Sequence, residues 1–120
     1  MSEEPRDLVE RTFRFAETVR RFINRLPSTP SNWADGKQVI RSSGSVAANY
    51  LEAQEGLSRK DFFYRIKISR KEARESGLWL RLLQIDEADP LHTERQQLVV
   101  EAEALKRILS AIAAKDDTAG

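Results

Sequence analysis

Apolar residues recur every three or four positions along most of the chain, and that spacing predicts helices. Between residues 7 and 26, Leu8, Thr12, Phe15, Val19, Phe22 and Leu26 advance by alternating steps of four and three, with Val9, Ala16 and Ile23 in a parallel row. Together the rows predict a broad buried face. Pro27-Ser28-Thr29-Pro30 ends it, because proline lacks the N–H of the next hydrogen bond and biases its predecessor away from helical dihedrals. A second helix is expected over 32–56, capped at Ser31 or Asn32. It carries Gly36, Ile40, Ser43, Ala47, Tyr50 and Gln54 in one row with Val39, Val46 and Ala53 beside it, and Gly56 as a left-handed C-cap. Ser58, three residues ahead of Asp61, has the form of a capping box and opens a third helix over 59–87. There Phe62, Ile66, Ser69, Ala73, Ser76, Leu80 and Leu83 keep the same alternation. Asp89 and Pro90 suit the cap and first residue of a fourth helix over 90–114. Leu91, Leu98, Ala102, Leu105, Leu109 and Ile112 hold its apolar positions, Arg95 fills another, and Lys115 to Gly120 reads as frayed. No segment alternates in the manner of a strand. The expected fold class is all-α: an antiparallel up-down four-helix bundle in one domain spanning residues 1–120.

Composition narrows the chemistry. With 120 residues, 40% hydrophobic and 32% charged, the chain is sized for one folded domain. Without cysteine it has neither disulfides nor a thiolate metal site, and the single His92 lacks the Glu-x-x-His sets that make a bundle into a di-metal centre. No glycine-rich phosphate loop and no nucleophile elbow is present. No catalytic residue, cofactor or metal is therefore expected. The N-terminus has no apolar leader and no run reaches the length of a membrane span, so a soluble, cytoplasmic protein that does not engage a membrane is expected.

Charge is nearly balanced, at +1, so any attraction to nucleic acid must come from a local patch. Residues 58–87 hold eight basic and five acidic residues, a local +3, and residues 88–120 hold four and six, a local −2. Lys60, Lys67, Lys71, Arg74 and Arg81 fall on one stripe of the third helix, at steps of 7, 4, 3 and 7; Arg14, Arg21 and Arg25 do so on the first. Such stripes can track a phosphate backbone. The competing reading is a solvated face, since Glu10/Arg14 and Glu17/Arg21 are ordinary i,i+4 pairs.

A polar stripe on the second helix, Arg41, Ser42, Ser45, Asn49 and Glu52, has possible partners in Arg70, Lys71, Glu72 and Glu75 on the third. Facing each other inside the bundle or at a subunit seam, these groups would satisfy one another and fix helix register. Beyond the core rows lie Trp79, Leu78, Leu82, Ile85, Val39, Val46 and Trp33, which predict self-association into a closed ring unless the bundle's wide core absorbs them all.

Arg41-Ser42-x-x-Ser45-x-x-Ala48-Asn49-x-x-Glu52-Ala53, then Asp61-Phe62, then Lys71-Glu72-Ala73-x-Glu75-x-x-x-Trp79-Leu80-x-Leu82-Leu83, resembles the bacterial four helix bundle protein family. That family includes the proteins encoded in intervening sequences of 23S ribosomal RNA genes. The likeness covers roughly residues 7–85, with the fourth helix similar only in pattern. It implies a homopentamer of four-helix protomers. It also implies a distant likeness to the accessory variability protein of diversity-generating retroelements, which binds reverse transcriptase and nucleic acid through a basic surface. It carries over Arg41, Ser45, Asn49, Glu52, Glu72 and Glu75 as a polar seam, and no catalytic residue. The function expected is that of a non-enzymatic oligomeric bundle offering a basic ring surface to RNA, DNA or a nucleic-acid-handling protein. The alternatives are a protein-only scaffold and a small enzyme using Arg41, Asn49, Glu52 and Glu72.

Overall fold

A computed structural model describes residues 5–118, leaving the ends of the expected 1–120 domain, Ala119 and Gly120 among them, outside the described residues. Four helices follow in order: α1 (Pro5–Ile23), α2 (Pro30–Gln54), α3 (Arg59–Leu82) and α4 (Pro90–Ala113). Each packs on its sequence neighbours, α4 also closes on α1, and the diagonal pairs α1/α3 and α2/α4 make no close backbone approach. The bundle is all-α, up-down and antiparallel, with extents of 48 × 31 × 20 Å. No helix is long and apolar enough to cross a membrane, among the described residues.

The apolar rows form the core. Leu8, Phe15, Val19 and Phe22 of α1 meet Val39, Val46 and Tyr50 of α2, Ile66 and Leu80 of α3, and Leu105 and Leu109 of α4. Val39 and Val46 are completely buried, so they belong to the core and not to the surplus surface. Small side chains, Ser42 of α2 and Ser69 and Ser76 of α3, are buried where these two helices pack. The fully buried Ser42 and Ser76 hydroxyls share a hydrogen bond of 2.8 Å, and the Ser69 hydroxyl donates to the Val46 carbonyl at 2.8 Å. Each buried hydroxyl thus has a partner, which burial demands.

Helix ends differ from the sequence reading in informative ways. Expected over 7–26, α1 instead stops at Ile23, where its last turn tightens to i,i+3 bonds from Arg25 to Phe22 and from Leu26 to Ile23. Thr29, not Ser31 or Asn32, caps α2: its side chain accepts from the Asn32 N–H, and Pro30 sits in the first turn where it loses no bond. Asn32 is instead buried, its amide pairing both polar groups of the Gln84 backbone, at 2.8 and 3.0 Å. No glycine among the described residues has positive φ, so Gly56 is not a left-handed cap; α2 ends at Gln54 and Glu55 caps it. The Ser58 cap forms as expected, while Asp61 accepts from the Leu57 N–H in place of Ser58's own. The third helix ends at Leu82 rather than at 87, because Arg95 of α4 draws in its final carbonyls, donating to Leu80 at 3.1 Å and Leu83 at 2.8 Å. Asp89 and Pro90 open α4 as the sequence suggests. Residues 115–118 are not frayed, since Asp116 and Asp117 are tied to α3.

Candidate nucleic-acid interface

A groove of about 450 Å³ runs between α3 and α4, lined by Lys67, Arg70, Lys71, Arg74, Lys106 and Ser110. It continues into a second depression where Lys71, Arg74 and Lys106 recur with Arg81, Glu75, Glu103 and Leu78. Heptad spacing on α3 brings its cations to the side facing α4, and α4 adds Lys106, which the sequence reading missed because nothing local marks it as a neighbour of Lys71. Arg70, a possible partner of the α2 polar stripe on sequence grounds, lines this groove. Lys60 lies apart, beside Ser58, Asp61 and Tyr64 near the start of α3.

Pairing divides the basic residues. Arg70, Lys71, Arg74 and Arg81 make no ion pair among the described residues, whereas Lys67 holds Asp116 at 2.6 Å and Lys106 lies 4.0 Å from Glu103. Lys67 and then Thr118 hold the Asp116 carboxyl well below the usual carboxylate range. On α1 every member of the expected stripe is paired: Arg14 with Glu10, Arg21 with Glu17 and Arg25 with Glu94. The Arg25 bond to Glu94 lowers the pKa of that carboxyl and raises that of the guanidinium. This stripe is diagonal to α3 and neutralised, so the two basic stripes do not make one surface.

The polar seam is assembled in part. Arg41 reaches Glu72 and Glu75 across the α2/α3 boundary at 3.4 and 3.5 Å, long contacts for a guanidinium that is half exposed. Asn49 donates to the Ser45 hydroxyl at 3.0 Å and accepts from Arg65 at 3.2 Å. Glu52 is exposed and lies outside the network. Among the described residues no group of three His, Cys, Asp or Glu is placed to hold a metal ion. Trp33 is exposed at 67%, with Lys37 over its ring, and Leu78 and Leu82 are about half exposed. Trp79 and Ile85 pack against the core.

Fold and groove together define a small helical bundle with one cationic face built by two adjacent helices. The chain belongs to the 23S rRNA-intervening sequence protein family, whose model matches residues 5–111. It is also similar to a crystal structure of a protein with unknown function from the S23 ribosomal protein family of Bacteroides thetaiotaomicron VPI-5482. That likeness has a TM-score of 0.79 at 24% identity, covers 92% of this chain and 98% of the other, and concerns the fold. Among curated proteins none matches.

Proposed function

We propose that the protein is a non-enzymatic, cytoplasmic bundle that binds the phosphate backbone of a nucleic acid along the α3/α4 groove. The carrying observation is that Arg70, Lys71, Arg74 and Arg81 stand beside Lys67 and Lys106 with no carboxylate partners of their own among the described residues. Cations without partners release counterions when a phosphate binds, and paired ones first have to break a bond. From Lys67 to Arg81 the stripe extends about 21 Å at the helical rise, more than half of one duplex turn. No aromatic side chain lines the groove, so it offers charge to phosphates and no stacking platform to bases. Copies of the chain are the natural cover for Leu78 and Leu82, and the reading includes a homo-oligomer, a ring of five on the family resemblance.

Anisotropy of a labelled RNA duplex, titrated with the protein at several salt concentrations, tests this. Contact with four or five phosphates gives a slope of log affinity on log salt of about −4. Lys71→Glu combined with Arg74→Glu should abolish binding, while Arg14→Glu with Arg21→Glu on the paired α1 stripe should change it far less. No binding by the wild-type chain even at low salt would leave the protein-only scaffold as the reading.

A further inference from the structure

We infer that the segment following α4 is an internal occupant of this groove, with the Asp116 carboxylate on Lys67 in the place that a backbone phosphate takes, so that nucleic acid binds by displacing it. The inference rests on the phosphate-backbone reading above. After Ala113 the chain folds onto α3, and its acidic residues engage two cations there: Asp116 Oδ2 lies 2.6 Å from Lys67 Nζ, and Asp117 Oδ1 lies 2.9 Å from Arg59 Nη2. The Asp116 side chain is only 9% exposed, and its other oxygen accepts from the Thr118 N–H at 2.8 Å. A carboxylate oxygen at this distance from an ammonium group makes the same charge-assisted contact as a phosphate oxygen.

Lys67 is at once a wall of the cationic groove and the partner of Asp116. An anion that replaced Asp116 there would adjoin Arg70, Lys71 and Arg74, none of which is paired among the described residues. The groove is thus a row of cations with one position already filled from within. Release is favoured by the exposure of Lys115, Asp117 and Thr118, and among the described residues the segment has no apolar anchor beyond Ala113. Beyond the helix-end backbone bonds of Ala114, Lys115 and Asp116, ion pairs hold the segment, and a polyanion competes for their cations.

The test compares Asp116→Asn with Asp117→Asn in one chain against a control with the same change in charge on α1, Glu10→Gln with Glu17→Gln, using the labelled RNA duplex and the anisotropy assay. The acidic-segment variant should bind about three- to tenfold tighter than the control, the gain expected from freeing two ion pairs. In a Lys67→Gln background the gain from Asp116→Asn should disappear, since the two residues act as one pair. In the wild-type protein the Thr118 amide resonance should move as duplex is added, because its acceptor leaves. Equal affinity of variant and control, with a stationary Thr118 amide, overturns the displacement and leaves backbone binding intact. Absence of binding by every variant at low salt overturns both.

Discussion

Among the described residues Tyr50 is the largest fully buried side chain, 1% exposed between α2 and the rest of the core. Burial pushes its phenol up to about 12 from the ordinary 10.0, because the phenolate is disfavoured away from water. A folded-state pKa above the unfolded one means that the folded chain holds the proton more tightly. The stability tied to this proton is therefore complete below pH 10 and is lost as pH rises from there towards 12. Urea midpoints measured across that interval should fall more steeply for the wild-type protein than for Tyr50→Phe, the difference between the two curves isolating this one group from the lysines. Parallel curves would exclude it. Among the buried serines no such pH dependence arises, since Ser42, Ser69 and Ser76 stay neutral and already share hydrogen bonds.

At the scale of the helix, Arg95 shows how one side chain sets an element boundary. It interrupts the apolar row of α4, yet it is 9% exposed and its guanidinium donates to the carbonyls of Leu80, Arg81 and Leu83. The end of a helix carries partial negative charge and unpaired carbonyls, and a buried cation there meets both. Arg95→Leu restores the apolar repeat but strips those carbonyls of their donor, and should cost about 3 kcal/mol in urea unfolding, the scale of lost charged hydrogen bonds. A loss under about 0.5 kcal/mol, the size of an ordinary surface change, would show that water replaces the guanidinium. Four helices, their order and most of their core rows are legible in the sequence because the period is local. The end of α3 is not, because its terminators, Arg95 and Asn32, lie 12 and 52 residues away from the atoms they hold. The same limit applies to the groove. Steps of seven, four and three mark the α3 cations, but whether a cation is free depends on pairs such as Arg25 with Glu94, separated by 69 residues, and on Lys106 arriving from another helix.

For the whole molecule, the position of the exposed apolar residues relative to the groove matters most. Leu78 and Leu82 stand one turn apart on α3, 47% and 45% exposed, and Leu78 lines the same depression as Lys71, Arg74, Arg81 and Lys106. Contacts between copies made there would set the basic grooves of neighbouring protomers side by side, and a long duplex would then meet several grooves at once. Linked sites gain affinity by effective concentration, about a hundredfold or more when geometry allows simultaneous contact. The wild-type chain should therefore scatter light as a multiple of its protomer mass. Leu78→Gln with Leu82→Gln, which leaves the charge of the groove unchanged, should reduce it to single protomers. The same variant should lose at least tenfold in affinity for a long duplex, the multivalent share, while its affinity for a duplex short enough to fill one groove changes far less. A wild-type protein that is monomeric at micromolar concentration, or a long duplex bound equally well by both forms, would show that each groove acts alone.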